Sequence, residues 1–269
     1  MTTKRMRVFA GPNGSGKSSV IKSLLNTEFG SGKKLDFGIY INADDIAVSL
    51  RDRSFKFSSY EIEDYQIDFF EIVSDSGLLS DDFSQKKFQK SLILYADSIE
   101  IKKEKDFQAN KYLEERVAQI VADYLRKKLL LLGKKFSFET VFSHPGKVDI
   151  IKKAKENGYK VYLYFVSTED PEINVYRVKK VRVPNNGHDV PEEKIRSRYF
   201  RSMDLVYEAS QYCYQCYFFD NSKEGLGQVL FAYFKLTISG VKDWVIPDES
   251  QIPNWFKKYY SGKINNSNS

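Results

Sequence analysis

The first residues with clear chemical meaning are three glycines, a lysine and serines that lie early in the chain. Residues 11–18 read GPNGSGKS and match the pattern G-x-x-x-x-G-K-[ST]. In this pattern the backbone N–H groups turn inward around a phosphate, the lysine reaches the β- and γ-phosphates, and the hydroxyl can bind Mg²⁺. We therefore predict a phosphate-binding loop with Lys17 as a catalytic residue and Ser18 as the metal ligand. Its nucleotide-binding residues are Gly11, Pro12, Asn13, Gly14, Ser15, Gly16, Lys17, Ser18 and Ser19.

Carboxylates follow two other apolar segments, in the runs INADD and FSFET. The carboxyl ends of parallel strands meet at one edge of a sheet, where open α/β sheets bind their ligands. Asn42, Asp44, Glu139 and Thr140 are therefore predicted to bind a substrate. Asp44 is placed to orient and deprotonate an acceptor, whereas Asp45 fits a helix cap or dipole partner. For Glu139 two roles stay open, contact with the acceptor or support of the metal through water.

Cations cluster in residues 177–201, RVKKVRVPNNGHDVPEEKIRSRYFR. Pro, Asn and Gly in the middle predict a mobile loop between two helices, and Arg198 and Arg201 share a helix face. An arginine-bearing lid of this kind closes over a γ-phosphate. Asn221 follows the last core strand in the run FFDNS, where it is expected to edge a nucleotide base.

The elements that must position these residues alternate between strands and helices. Apolar strand patterns lie at Arg5–Ala10, Phe37–Ile41, Lys135–Glu139, Lys160–Val166 and Tyr214–Phe219. Helical patterns lie between and after them, at Ser18–Leu25, Leu113–Leu132, Lys147–Asn157 and Pro191–Ser210. The alternation predicts an α/β fold, a parallel sheet covered by helices.

Two segments depart from this rhythm. Residues 51–110 are dense in aromatic residues and in both charge signs, which indicates an insertion after the second strand. Near the end, FAYFKLTIS and VKDWVI predict a β-hairpin, PNWFKKYY predicts a short helix, and INNSNS is expected to be a disordered tail.

Composition and charge argue against nucleic-acid binding, membrane contact and zinc binding. The chain has 269 residues, 42% of them apolar, and a net charge of +6, which a solvated surface explains better than nucleic-acid binding. A signal-peptide core is absent and the run Leu129–Leu132 is too short to span a membrane, so a cytoplasmic protein without membrane contact is expected. The two cysteines, Cys213 and Cys216, form one C-x-x-C. A zinc site needs about four ligands, and His144 and His188 are the only histidines in the sequence. We therefore favour buried thiols over zinc ligands for the two cysteines.

Several motifs together resemble the zeta toxin family, P-loop kinases that include the UDP-N-acetylglucosamine kinases of bacterial toxin–antitoxin systems. The similarity rests on GPNGSGKSS, INADDIA, FSFETVFSHPGK, KVYLYFV, RVPNNGHDVPEEKIRSRYFRS and FFDNS. It covers residues 5–50 and 111–225. It implies a three-layer P-loop kinase domain over residues 1–225, with residues 226–269 as an extension.

The resemblance also implies roles for individual residues. Lys17 and Ser18 would serve ATP and Mg²⁺, Asp44 would be the base, and Glu139 would contact the acceptor. Arg182 and Arg198 would be the catalytic lid cations. At residue 141 the family's sugar-nucleotide kinases carry threonine, and this chain carries valine.

These observations predict an ATP-dependent kinase that phosphorylates a hydroxyl of a small molecule. A sugar nucleotide such as UDP-N-acetylglucosamine is the leading acceptor, and an antitoxin protein is a possible partner. Two alternatives stay open: a kinase of another metabolite or nucleotide, and an ATP-binding regulatory protein with weak hydrolysis. Stimulation of ATP turnover by a hydroxylated metabolite would favour a kinase.

Overall fold

The computed structural model describes residues 3–29, 32–52, 54–103, 105–184 and 189–267. The chain forms two compact units. One, here called the split unit, combines Met1–Phe37 with Glu139–Ser269. The other, the contiguous unit, is Gly38–Phe138. The domain division predicted at residue 225 stays a prediction.

The strands of the described residues follow in chain order. They are β1 Arg5–Ala10, β2 Glu28–Phe29, β3 Lys33–Lys34, β4 Ile39–Ile41, β5 Phe55–Lys56, β6 Leu92–Leu94, β7 Ser98–Ile101, β8 Phe136–Thr140, β9 Lys160–Ser167, β10 Gln215–Asp220, β11 Val229–Leu236 and β12 Lys242–Val245.

The helices are mostly α-helical, with short 3₁₀ and π segments. The α-helices are α1 Lys17–Asn26, α2 Ala43–Asp52, α3 Phe69–Ser74, α4 Gln85–Lys90, α5 Phe107–Leu131, α6 Gly146–Glu156, α7 Pro171–Tyr176, α8 Glu192–Ser210, α9 Asn254–Phe256 and α10 Gly262–Ser267. The 3₁₀ segments are Ser58–Tyr60, Tyr65–Ile67 and Glu249–Gln251, and the π segments are Arg177–Arg182 and Lys257–Ser261.

The sheet of the split unit runs in the order β12-β11-β10-β9-β1. β9 pairs in parallel with both β1 and β10, while β11 and β12 are antiparallel. β1 is buried along almost its whole length because side chains on both faces are covered, as in strands of parallel sheets. The parallel strands β1, β9 and β10 within a mixed α/β architecture confirm the predicted fold class.

The C-terminal hairpin and helix pack on this sheet. Phe218 of β10 contacts Trp244 of β12, Phe256 of α9 and Tyr260, with ring centroids 5.8, 4.9 and 5.0 Å away. Buried aromatic rings of this size contribute much of the apolar surface that stabilises a fold. The β-hairpin and the short helix predicted from the sequence are therefore confirmed, and both belong to the split unit.

The contiguous unit contains β4 paired in parallel with β8, and a small antiparallel sheet in the order β5-β7-β6. α2 packs along α5. Four buried rings, Phe57, Tyr65, Phe69 and Tyr124, contact one another at its centre. The aromatic residues that marked segment 51–110 thus form a local core.

Two helical segments differ from the sequence predictions by more than two residues. α5 begins at Phe107 rather than Leu113, because the side chain of Asp106 caps it by accepting from the backbone N–H of Gln108. At the other end the helical backbone continues through Gly262–Ser267, into the segment expected to be a disordered tail. Residues 268–269 lie outside the described part. No helix in the described residues is both long and apolar enough for a transmembrane span.

Candidate nucleotide-binding site

The glycine-rich loop joins β1 to α1 and depends on its glycines. Gly11, Gly14 and Gly16 have φ angles of 143°, 73° and 99°. A Cβ atom on Gly11 would lie 2.0 Å from the carbonyl oxygen of Val166, and one on Gly16 would lie 2.3 Å from Nδ2 of Asn221. The backbone can therefore adopt this turn only where side chains are missing.

Lys17 is buried, with 6% of its surface exposed, and lies in the first turn of α1. Its ammonium group donates to the carbonyl oxygens of Gly11 and Pro12, both at 3.0 Å. Nζ also lies 3.9 Å from Oε1 of Glu139. The lysine is thus folded back over its own loop, and its charge lies on the segment predicted to bind phosphate.

Glu139 stands near the end of β8, and its carboxylate meets α1. The hydroxyl of Ser18 lies 3.3 Å from each of its two oxygens. A serine hydroxyl beside a carboxylate is a donor set of hard oxygens, which suits Mg²⁺ when phosphate oxygens complete the shell. Among the described residues no group of three or more His, Cys, Asp or Glu side chains could hold a metal ion. The Ser18–Glu139 pair therefore fits a metal that arrives with a nucleotide.

Two buried polar residues that follow β9 in the chain, Thr168 and Asn174, support the glycine-rich loop. Asn174 donates from Nδ2 to the carbonyl oxygen of Asn13 at 2.6 Å, and its Oδ1 bonds the hydroxyl of Thr168. Asn174 and Thr168 are fully buried. Two side-chain atoms of the loop, Oδ1 of Asn13 and Oγ of Ser15, are buried without a hydrogen-bond partner in the structure. A loop with unused polar atoms and a buried cation fits a phosphate ligand.

Asn221 also supports the loop, from the end of β10. Its side-chain Nδ2 donates to the backbone carbonyl oxygen of Ser15 at 2.8 Å. Its backbone carbonyl oxygen accepts from Nη1 of Arg177 at 2.7 Å. Asn221 was predicted to edge a nucleotide base. Its side chain contacts the phosphate-binding loop in this structure. Its contact with a nucleotide base stays a prediction.

The arginines of the predicted lid have different environments. Arg196 forms two hydrogen bonds to Glu172, at 2.6 and 2.8 Å, and a third to Glu192. These bonds raise its pKa and fix the start of α8 against α7. For Arg198, burial and then the charge of Arg201 lower the pKa of the guanidinium below its ordinary value. Within the described chain Arg198 has no carboxylate partner, so its charge is available to an anionic ligand.

The remaining lid predictions fall outside what the structure describes. Residues 185–188, the middle of the predicted loop, are outside the described residues, as is the side chain of Arg182. Residues 177–182 themselves form a π-helical turn that follows α7. π-Helical turns occur often at functional sites.

Asp44 lies in the first turn of α2, in the contiguous unit, and is exposed. Asn42 caps this helix, because its Oδ1 accepts from the backbone N–H of Asp44 at 2.9 Å. Partial burial and the neighbouring Asp44 raise the pKa of Asp45. Burial, with Asp45 as the second cause, raises the pKa of Tyr60 to about 12. The assignment of Asp44 as base stays a prediction.

Thr140 and His144 each accept a local hydrogen bond from the backbone. The hydroxyl of Thr140 accepts from the backbone N–H of Phe142, a buried residue with a φ of 61°. Nδ1 of His144 accepts from the N–H of Gly146. Cys213 and Cys216 are buried free thiols, and burial raises the pKa of Cys216. Thr140 therefore shapes the turn after β8, and its contact with a substrate stays a prediction.

Comparison with known proteins supports the resemblance found in the sequence. Residues 91–216 match the Zeta toxin family. The match supports the resemblance predicted from the motifs over slightly less than half of the chain. It includes Glu139 and Arg198, while the phosphate-binding loop and Asp44 precede it. An uncharacterized protein of Haemophilus influenzae is 36% identical over 64 residues, which is 24% of this chain and 45% of that protein.

The fold resembles crystal structures of AvrRxo1-ORF1:AvrRxo1-ORF2. The native complex has a TM-score of 0.52 at 15% identity, and the form with sulphate ions has a TM-score of 0.51 at 15% identity. Both matches cover 96% of this chain, which spans 64% and 63% of the matched chains. At this identity the likeness concerns the fold alone.

Proposed function

We propose that this protein is an ATP-dependent kinase that transfers the γ-phosphate to a hydroxyl group of a small molecule. The observation that carries the proposal is that Lys17 and Ser18, directly after a loop that only glycines can form, meet Glu139 of β8. This arrangement places an ammonium group and a hydroxyl that can bind a metal at 3.9 and 3.3 Å from the same carboxylate. These are the groups that phosphoryl transfer from ATP requires.

The first step is binding of the triphosphate. Lys17 leaves the carbonyl oxygens of Gly11 and Pro12 and pairs with the β- and γ-phosphates. The backbone N–H groups of the loop, with the amino terminus of α1 behind them, bind the same charge. Because the loop is held by Asn174 and Asn221, little reorganisation is needed.

Ser18 and Glu139 would hold Mg²⁺ together with the phosphate oxygens. When bound, Mg²⁺ neutralises charge on the transferring group and orients it. Glu139 would then exchange its contact with Lys17 for one that supports the metal. In this proposal Glu139 serves the metal, although the family resemblance alone implies contact with the acceptor.

Arg198 and Asp44 complete the mechanism. Arg198 stabilises the charge that develops on the transferring phosphoryl group, since its guanidinium lacks a carboxylate partner in the described chain. Asp44 accepts the proton of the acceptor hydroxyl as the new P–O bond forms. ADP and the phosphorylated acceptor then leave.

The acceptor and the cellular effect are the finer parts of the proposal. A sugar nucleotide such as UDP-N-acetylglucosamine is the first candidate, on the resemblance to zeta toxins. Such chemistry would harm a bacterium that makes the enzyme. A protein partner would block it most simply by covering the phosphate-binding loop; the AvrRxo1-ORF1 structures were likewise solved with a second protein, AvrRxo1-ORF2.

The central test is the substitution Lys17→Ala, with Lys22→Ala as its matched control. Lys22 is an exposed lysine on the same helix. Calorimetry should show that Lys17→Ala loses most of its Mg-ATP affinity while Lys22→Ala binds like the wild type. Equal affinity of all three proteins would disprove the proposed phosphate site.

The acceptor is found by incubating the wild type with Mg-ATP and a panel of hydroxylated metabolites, with mass spectrometry of the products. Acceptor-dependent turnover supports a kinase, and an acceptor-independent ATPase rate supports a regulatory ATP-binding protein. Induction in a bacterial host tests toxicity. If the wild type does not slow growth although the purified enzyme phosphorylates an acceptor, the toxin part fails and the kinase part stands.

A further inference from the structure

The C-terminal segment reaches the nucleotide site through a buried tryptophan. Trp255 of α9 is 2% exposed, and its indole packs against Phe165 of β9 and Phe231 of β11. The indole N–H donates to Oδ1 of Asp220 at 2.9 Å. A hydrogen bond to a charged, partly buried carboxylate is stronger than one between neutral groups. The ring is therefore anchored by packing and by a directed polar contact.

Asp220 is the last residue of β10, and its carboxylate closes a tight turn. Oδ1 also accepts from the hydroxyl of Ser222 at 2.7 Å, and Oδ2 accepts from the backbone N–H of Ser222 at 3.1 Å. The same hydroxyl accepts from the backbone N–H of Glu169 at 2.8 Å. Residues 220–222 are thus tied to both Trp255 and the end of β9.

A second anchor fixes the start of α9. The carboxylate of Glu169 accepts from the backbone N–H of Asn254 at 2.7 Å and from that of Trp255 at 3.1 Å. These N–H groups have no partner within the helix, because they belong to its first turn. Glu169 therefore sets the position of α9, and with it the direction of the indole N–H.

The residue between Asp220 and Ser222 is Asn221, which holds the phosphate-binding loop. Its Nδ2 donates to the carbonyl oxygen of Ser15, and its backbone N–H donates to Ser167, both at 2.8 Å. Nδ2 also lies in the space that a Cβ atom on Gly16 would need. Any shift of the turn at 220–222 is consequently transmitted to Ser15 and Gly16.

We propose that Trp255 is a positioning residue for the phosphate-binding loop, acting through Asp220 and Asn221. The C-terminal helix is then part of the nucleotide site, although it contacts no nucleotide itself. The expected effect of Trp255 on ATP binding rests on the proposed function. Its expected effect on the order of the loop does not depend on a ligand. Removal of the indole N–H loosens the turn and leaves the loop less ordered before binding.

The variant Trp255→Phe keeps an aromatic ring and removes the donor. Its matched control is Trp244→Phe, the same exchange in β12 at a partly exposed ring of the neighbouring aromatic cluster. Hydrogen–deuterium exchange of the ligand-free proteins should show faster exchange at residues 12–18 and 220–222 in Trp255→Phe. Trp244→Phe should match the wild type there, and amides of β9 should be unchanged in both.

The second readout is nucleotide binding. We expect Trp255→Phe to weaken Mg-ATP binding by about threefold to tenfold. This is less than the full contribution of a charge-assisted hydrogen bond, because only part of its free energy acts on the loop. The KM for ATP should rise by a similar factor, while kcat at saturating ATP stays within about twofold of the wild type. A merely structural residue would lower the melting temperature and leave the affinity of the remaining folded protein intact.

The outcomes separate this inference from the proposed function. Unchanged exchange at residues 12–18 overturns the inference, and so does faster exchange spread evenly over the sheet. Faster loop exchange with an unchanged affinity for Mg-ATP also overturns it. If the wild type binds no ATP, the proposed function fails. The hydrogen–deuterium exchange of the loop alone then decides whether Trp255 positions it. Should Trp255→Phe not fold, Glu169→Ala removes the second anchor from an exposed site and must give the same loop exchange.

Discussion

Glu139→Gln separates the two roles that the sequence left open for this residue. The substitution keeps the shape of the side chain and an oxygen for the hydroxyl of Ser18, and it removes one negative charge. In the ligand-free protein that charge lies 3.9 Å from the ammonium group of Lys17, and the two side chains are only 18% and 7% exposed. Solvent therefore screens the pair less than it would a surface pair.

The expected magnitude follows from this geometry. Two unit charges about 4 Å apart interact by about 4 kcal/mol at an effective dielectric constant of about 20. Most of this is offset by the cost of removing both groups from water, which leaves roughly 1.4 kcal/mol, or a factor of about ten. Without its carboxylate, the site should bind ATP about tenfold more tightly when Mg²⁺ is absent. The apparent affinity for Mg²⁺ should fall by about 10- to 100-fold, as for other groups that support a metal site.

Calorimetry in EDTA and in excess Mg²⁺ measures both effects, and turnover against Mg²⁺ concentration gives the second independently. Glu193→Gln is the matched control, because it removes the same charge from an exposed position at the start of α8. If Glu139→Gln binds ATP like the wild type under both conditions and only the KM for the acceptor rises, Glu139 serves the acceptor and the metal role is wrong.

Three further substitutions, the last with a neighbouring arginine for comparison, test other parts of the site. Asp44→Asn should lower turnover by roughly 10²- to 10⁴-fold in a coupled kinase assay and keep Mg-ATP binding, since the amide cannot accept the proton; full activity would exclude Asp44 as base. Gly16→Ala should lose at least about tenfold in ATP affinity by calorimetry, because a φ of 99° is unfavourable by about 1–2 kcal/mol for alanine and the Cβ displaces Asn221. Arg198→Ala should lower kcat by roughly 10²- to 10³-fold, whereas Arg196→Ala should act mainly on the melting temperature; the reverse pattern would assign the lid charge to Arg196.

Short-range features were predictable from the sequence because their causes are local. The strand Arg5–Ala10 and the loop after it follow from an apolar run and from glycines that permit positive φ angles. The C-terminal hairpin and short helix were equally clear. The early start of α5 was missed, although Asp106 is a typical cap, because the apolar periodicity becomes regular only from Leu113.

The supports of the loop were not predictable, because they join distant parts of the chain. Asn174 and Asn13 are 161 residues apart, and Asn221 and Ser15 are 206 apart. In the sequence Asn174 is an ordinary polar residue in a helix. Only its complete burial, next to the equally buried Thr168, distinguishes it in the structure. The available signal was that a small polar residue, Thr168, directly follows the apolar strand β9.

The split arrangement of the phosphate-binding unit has a consequence for protein synthesis. β1 pairs with β9 at a separation of 155 residues, from Arg5 to Lys160. At a translation rate of about 5–20 residues per second, a ribosome needs roughly 8 to 30 s between these two strands. Asn221 is made later still. Every nascent chain therefore passes through a period in which the loop sequence exists without its supporting strand, and a fragment that ends before β9 cannot assemble the site.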